Sequence, residues 1–227
     1  MQRRILIAID GPSGAGKSTL AKAIAEKLDI MHLDTGALFR ALGYAALQKG
    51  FDTHNSEQAA ELVKKVELDI EFEGKKQKTL IDGQDVTPYL RTEDVSIAAS
   101  NISVHPVIRD YILLQERQLA ERESFVLDGR DIGTVVLPNA DVKIFLTASP
   151  RVRAERRLQD LINAGDQHTK YEQVLQDIEK RDNQDSNRQT APTRMAEDAV
   201  LIDSSNLTIE ETVGRVLALV EQIYSGK

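Results

Sequence analysis

Nine consecutive residues, Gly11-Pro12-Ser13-Gly14-Ala15-Gly16-Lys17-Ser18-Thr19, satisfy the P-loop pattern G-x4-G-K-[ST] in full. The chemistry this spacing offers is the cradling of phosphate. Backbone N–H groups around the loop and at the start of a following helix can converge on phosphate oxygens. Glycine at 11, 14 and 16 keeps side chains out of that space. Lys17 can then reach the β and γ phosphates, and the Ser18 hydroxyl can ligate Mg2+. Cysteine is absent, which excludes thiolate nucleophiles, thiolate metal sites and disulfides, and the 4 scattered His make no zinc cluster.

A second set of chemically able residues is the arginines Arg40, Arg109, Arg130, Arg181 and Arg188, with Arg151, Arg153, Arg156 and Arg157 close together. A planar guanidinium can hold a phosphate by two parallel hydrogen bonds. The chain as a whole is acidic, with 29 Lys plus Arg against 36 Asp plus Glu and a net charge of -7. Nucleic-acid binding is therefore not expected, and anion binding has to be local. Arg130 follows Asp128-Gly129 at the carboxyl end of an apolar run, the side on which open sheets bind ligands. Arg40 lies one turn into a helix that follows a strand. Arg153, Arg156 and Arg157 can share one side of a helix, with Arg151 off that stripe. Such a cluster near Gly165 suits a flap over donor phosphates, and equally a solvated helix paired with Glu155 and Asp160.

The elements that must position these residues are legible in the hydrophobic pattern. At 227 residues the chain is one domain, or one domain with an insert. Ile5 to Ile9 is apolar without alternation, as in a strand buried on both faces. Lys17 to Leu28 repeats apolar residues at helical spacing, so the chain opens strand, glycine loop, helix. A short strand ends at Leu33 and a helix runs from about 36 to 48; Asn55 or Ser56 starts another. Between about 66 and 96 apolar and charged residues alternate in short pieces, with a basic turn from Gly74 to Lys78. An inserted antiparallel β subdomain is predicted there, separating a core of 1–65 and 97–227. Helices follow at about 92–102 and 106–122, then buried strands at 124–128 and 142–146. Ser149-Pro150 reads as a cap and first helical residue of a basic helix. Another helix is predicted from about 169 to 180, with the polar stretch 181–190 as surface loop on composition alone. Ala199 to Ile202 is a last buried strand, and Thr208 with Glu211 forms a capping box for a final helix. The N-terminal apolar run is too short for a signal core or a membrane span, so a cytoplasmic protein with no membrane partner is expected.

Three classes of phosphate-binding protein compete. A guanine-reading Asn-Lys-x-Asp segment is missing, which argues against a GTPase. For a mechanical or transport ATPase, Asp128 could serve on the Mg2+ side, but nothing else distinguishes that reading. A small-molecule phosphotransferase must neutralise a second, acceptor phosphate, and the arginines supply that charge. Transfer between two anions is mainly neutralisation and in-line positioning, with little demand for a strong base. On the residues alone the acceptor stays open, with UMP, AMP or a non-nucleotide alcohol among the candidates, and so does an ATP-binding regulator.

The chain resembles the bacterial cytidylate kinases, a branch of the nucleoside-monophosphate kinases. The resemblance is carried by Asp10 to Thr19, Leu33-Asp-Thr-Gly-Ala-Leu-Phe-Arg40, Gly83-Gln-Asp-Val86 with Leu90-Arg-Thr92, and Asp128-Gly-Arg-Asp-Ile-Gly-Thr-Val-Val136. Val142 to Leu146, Lys180-Arg-Asp182 through Asp185-Ser-Asn-Arg188, and Ala199 to Asp203 complete it. It implies an α/β fold with a five-stranded parallel sheet flanked by helices, a small antiparallel insert at 66–96 on the acceptor side, and a short lid near 151–168. It implies ATP and Mg2+ as cofactors, CMP and dCMP as small-molecule substrates, direct in-line transfer giving the diphosphates, and a monomer. By position, Arg40, Arg130 and Arg188 are expected on the acceptor phosphate, and Arg181 and Asp185 on the sugar. Ser100, Arg109 and Asp131 are expected on the base, with Thr35 where relatives often have Ser. Arg157 resembles the residue stacked near the donor adenine. Lys17, Arg130, Arg188 and Arg153 are expected to act on the moving phosphoryl, and Mg2+ is expected on Ser18 with water-mediated help from Asp34 or Asp128. Under this resemblance the polar stretch 181–190 becomes active-site wall. The base assignment is chemically coherent: a carboxylate accepts from the cytosine amino group, and a guanidinium donates to N3 or O2. Uracil would set O4 against Asp131, an unpaired contact costing about 1–3 kcal/mol.

Overall fold

The computed structural model describes residues 4–163, 165–166 and 168–225. Residues 1–3 of the N-terminal segment, 164 and 167 of the expected lid, and 226–227 lie outside the described residues. In chain order the elements are β1 (Leu6–Asp10), α1 (Lys17–Leu28), β2 (Met31–Asp34), α2 (Thr35–Gln48), α3 (Ser56–Lys65), β3 (Leu68–Glu73), β4 (Lys76–Ile81) and β5 (Gln84–Asp85). They continue with α4 (Glu93–Ile102), α5 (Pro106–Ala120), β6 (Phe125–Asp128), β7 (Val142–Thr147), α6 (Pro150–Asn163), α7 (Tyr171–Asn187), β8 (Val200–Asp203) and α8 (Ile209–Ser225). A 3-10 turn at Thr87–Tyr89 and a one-turn π-helix at Ile132–Val136 lie among them. A parallel sheet has the order β2-β6-β1-β7-β8, and β3-β4-β5 form a separate antiparallel sheet, the architecture the sequence predicts.

Two compact units divide the chain: Met1–Asp29 with Val126–Lys227, and Ile30–Phe125. In the first, β1 pairs with β7 from Ile7↔Val142 to Asp10↔Phe145, and β7 with β8 from Ile144↔Val200 to Thr147↔Asp203. Ile7 and Ile9 are fully buried, as their unbroken apolar run implies, and α1 lays Leu20, Ala21, Ile24 and Ala25 onto the sheet side. The capping box ahead of α8 forms as read: Glu211 N–H donates to Thr208 Oγ1 and Thr208 N–H to Glu211 Oε2. Ser149 Oγ accepts from Val152 N–H at the start of α6.

Two expectations in this unit need correction. The last strand was expected to be buried, but Val200 and Leu201 are exposed and only Ile202 faces inward, because β8 is the sheet's edge. The helix predicted to end at Lys180 continues to Asn187, so most of the polar stretch read as loop is helical. Its buried positions are Val174 and Ile178 and then Asp185. The core face switches from apolar packing to an ion pair, which hydrophobic periodicity does not register. Nearer its start, α7 shares a small apolar cluster with α6, in which Ala154, Val174 and Ile178 are buried beside Leu158, Leu161, Tyr171 and Leu175.

In the Ile30–Phe125 unit, α2 packs on α4 closely enough that a Cβ on Gly43 would lie 2.8 Å from the Ala99 nitrogen. Asn55 caps α3 by accepting from Glu57 N–H and Gln58 N–H, as expected. The turn between β3 and β4 is shorter than predicted: Lys76 to Lys78 belong to β4. They lie opposite acidic residues, with Glu73↔Lys76 and Glu71↔Lys78 in register, so the basic run serves cross-strand charge pairing.

Candidate active site

The glycine loop leaves β1 through Gly11, whose φ is +143° and whose added Cβ would meet the Leu146 carbonyl oxygen at 1.9 Å. Only glycine fits against β7 there. The loop ends at Gly16, which stands at the N-cap of α1 in the left-handed region without a side-chain cap. The first amides of α1 are thus left to an incoming anion. Lys17 is only 6% exposed and donates from Nζ to the Pro12 carbonyl at 2.7 Å. Burial, then repulsion from Arg130, push its pKa well below the ordinary lysine value, against the pull of Asp128 and Asp10. Bound phosphate would reverse that balance.

Ser18 Oγ donates to Asp128 Oδ2 at 2.7 Å, joining the loop to the buried end of β6. Among the described residues no group of three or more His, Asp or Glu could hold a metal ion. A hydroxyl and a carboxylate side by side nevertheless fit Mg2+, which keeps most of its waters and takes one or two protein oxygens plus phosphate.

Arginines and aspartates interlock on the same unit. Arg130 Nε donates to Asp185 Oδ2 at 2.9 Å, and Arg188 lies 3.2 Å from Asp131 Oδ1 and 3.9 Å from Asp185 Oδ1. Burial alone would raise the Asp185 pKa, but Arg130, Arg181 and Arg188 together hold it below the usual carboxylate range. Expected phosphate and sugar residues are thereby brought together: Arg130, Arg188, Arg181, Asp185 and the base candidate Asp131.

Arg153 is buried and fully engaged with Ala148 O, Ser13 O and Asp182 Oδ2, and Asp182 Oδ1 accepts from Ser13 N–H at 3.4 Å. It pins the glycine loop to α6 and α7. Arg157 is exposed on α6. Its neighbour Arg156 binds Ser204 O at 2.7 Å and lines a cavity of about 280 Å³ with Ala15, Gly16, Thr19, Leu207 and Ile209.

The remaining candidates lie on the Ile30–Phe125 unit. Asp34 caps α2 by accepting from Ala37 N–H at 3.0 Å through Oδ1, while its Oδ2 takes Arg40 at 2.9 Å and Arg91 at 3.0 Å. Asp34 is therefore committed to arginines within this unit. Gln77 of β4 clasps the Asp34 backbone, accepting its N–H at 2.8 Å and donating to its carbonyl at 3.3 Å. Thr35 is buried beside it. Arg109 donates to Ser103 O at 3.2 Å and lies over Phe39 at 5.4 Å. Ser103 Oγ donates to Ser100 O, so the two base candidates are neighbours through Ser103.

Sequence reasoning missed Asp10, which is 4% exposed. Its Oδ1 and Oδ2 accept from Ile132 N–H and Gly133 N–H, each at 2.7 Å. Burial pushes its pKa up to about 6, opposed by those two backbone bonds. The signal was present: a carboxylate ends an otherwise apolar strand. Arg91 and Asp182, whose residue types alone gave no signal, hold Asp34 and Arg153.

A glycine loop at the end of β1, with a serine–carboxylate pair beside it and arginines caged around Asp185 from the β6 end and α7, defines a nucleotide-binding phosphotransferase of the α/β class. The chain belongs to the cytidylate kinase family, whose model matches residues 7–222. Cytidylate kinase of Bacillus subtilis (strain 168) is 44% identical over 222 residues, 98% of this chain and 99% of that protein. Cytidylate kinase of Geobacillus thermodenitrificans (strain NG80-2) is 46% identical over 222 residues with the same coverage. Among solved structures, an uncharacterized protein from Eubacterium ventriosum ATCC 27560 matches with a TM-score of 0.50 at 15% identity, over 96% of this chain and 99% of that one. That likeness is one of fold alone. No helix among the described residues is long and apolar enough to cross a membrane.

Proposed function

We propose that the protein transfers the γ-phosphoryl group of ATP directly to the phosphate of CMP or dCMP, giving ADP and the cytidine diphosphates. The observation that carries this reading is the pairing on one unit of an anion-ready glycine loop with the Asp185 carboxylate surrounded by Arg130, Arg181 and Arg188. The loop amides from Gly11 to Thr19 and Lys17 hold the donor phosphates, and the cavity lined by Arg156 and Ser204 takes the donor base. Ser18 and Asp128 would hold Mg2+, which supplies neutralisation of phosphate charge when bound. Arg40, Arg130 and Arg188 hold the acceptor phosphate, and Arg181 and Asp185 the sugar. Ser100, Arg109 and Asp131 read the base, with Thr35 nearby in sequence to Arg40.

The positive charge of Lys17 faces phosphate and stabilises the moving phosphoryl, and the transfer needs no covalent enzyme intermediate. Arg153 serves this step by fixing the loop, through Ser13 O. The segment near 151–168 acts as lid and the 66–96 region belongs to the acceptor side. The enzyme works as a cytoplasmic monomer on small molecules. A coupled assay of ADP formation across CMP, dCMP, UMP and AMP tests the reading. Turnover is expected with CMP and dCMP, and preference for another acceptor, or ATP turnover without any acceptor, would overturn it.

A further inference from the structure

Asp131 stands at the N-cap of the one-turn π-helix Ile132–Val136, yet its side chain makes no capping bond. An Asp in this position ordinarily folds back onto the amides of its own helix, as Asp34 does on Ala37. Here one of those amides, Gly133 N–H, is already taken. Asp10, reaching across from β1, accepts from Ile132 N–H with one oxygen and from Gly133 N–H with the other. The Asp131 carboxylate goes to Arg188 instead, at 3.2 Å. The fit around Asp10 is tight: a Cβ added to Gly133 would lie 3.3 Å from Asp10 Oδ2.

We infer that Asp10 is a positioning residue for acceptor-base selection: by capping the π-helix in place of Asp131, it keeps the Asp131 carboxylate projecting toward the acceptor base. This rests on the proposed role of Asp131 in base reading. Both oxygens of Asp10 must accept, so Asp10→Asn keeps the shape but turns an amide group toward a backbone N–H. One of the two amides then loses its acceptor, and Asp131 is the nearest carboxylate in sequence to replace it. Once Asp131 turns to cap its own helix, cytosine and uracil are no longer told apart by it.

The experiment measures kcat/KM for CMP and UMP, KM for ATP, and amide hydrogen exchange over 132–136 in the wild type, Asp10→Asn, Asp10→Ser and Asp131→Ala. For Asp10→Asn the CMP-to-UMP ratio is expected to fall about tenfold, the effect of one unpaired polar contact. Exchange over 132–136 should quicken, and KM for ATP should change less than the ratio, because Asp10 acts on Lys17 through charge alone and the loop amides are untouched. An unchanged ratio in Asp10→Asn alongside a lowered ratio in Asp131→Ala overturns the inference and leaves the base assignment standing. An unchanged ratio in Asp131→Ala overturns the base assignment itself. Equal losses toward ATP and CMP, or failure of both Asp10 variants to fold, would mark Asp10 as merely structural and overturn the inference too.

Discussion

Each of the two compact units carries an aspartate gripped by arginines, and the two clusters differ in the second arginine, which is exposed in one and buried in the other. On the Ile30–Phe125 unit, Asp34 shares one oxygen between Arg40 and Arg91, and the Arg91 side chain is 66% exposed. On the other unit, Asp185 meets Arg130 and Arg188, whose side chains are 20% and 6% exposed. In the first cluster only Arg91 retains water as an alternative partner, so its pair adds little, while Arg40 and Asp34 are 16% and 12% exposed. In the closed cluster each guanidinium relies on the carboxylate, so the site is held in form before any ligand arrives. Preorganised charge belongs where the phosphoryl moves. The Arg91 arm can rearrange without endangering the fold.

The largest expected effect probes the preorganised side. Lys17→Ala should lower kcat by about a thousandfold or more, because a charge aimed at the transferring group is lost. Its Tm should hold or rise, since Lys17 is charged against both burial and Arg130. A mild kinetic loss, or a collapse of Tm, would break the contrast. Next comes the paired truncation of the two aspartates, read by urea unfolding. Asp185→Ala strands buried guanidinium groups and is expected to cost about 3–5 kcal/mol. Asp34→Ala loses a helix cap, the exposed pair with Arg91 and the largely buried pair with Arg40, about 2–3 kcal/mol. Equal costs would mean that the two clusters do the same work.

The smallest effect concerns pH. A carboxyl held above its unfolded value binds its proton more tightly in the fold. The stability Asp10 contributes is therefore full below its unfolded pKa of 3.8 and is lost as pH rises to about 6. Across that window the stability of the wild type relative to Asp10→Asn should fall by up to about 3 kcal/mol, at about 1.4 kcal/mol per pKa unit. Asp185 behaves oppositely. Its pKa is lowered, so its contribution is present above the unfolded value and is lost as pH falls through the folded one. A difference between wild type and Asp10→Asn that stays flat from pH 4 to 7 would contradict the burial of Asp10.

Local chemistry was enough to read much of this chain. The unbroken apolar run of β1, the full glycine-loop pattern, the Asn55 cap and the Thr208–Glu211 box all act over a few residues, and all formed as expected. Where the sequence misled, the deciding interaction was long-range. Helix α7 outran its apolar pattern because Asp185 is buried against Arg130, 55 residues away in sequence, instead of by a hydrophobic neighbour. The β8 strand is half-exposed because it is an edge, and edge or centre is a property of strand order.

Asp10 shows the same division at a single residue. Residue type and spacing determined that a phosphate cradle follows β1, because backbone amides and glycine dihedrals are local matters. Only tertiary structure decided that the carboxylate before it caps a helix 122 residues further on, because a hydrogen bond needs two groups within about 3 Å and sequence separation says nothing about that distance.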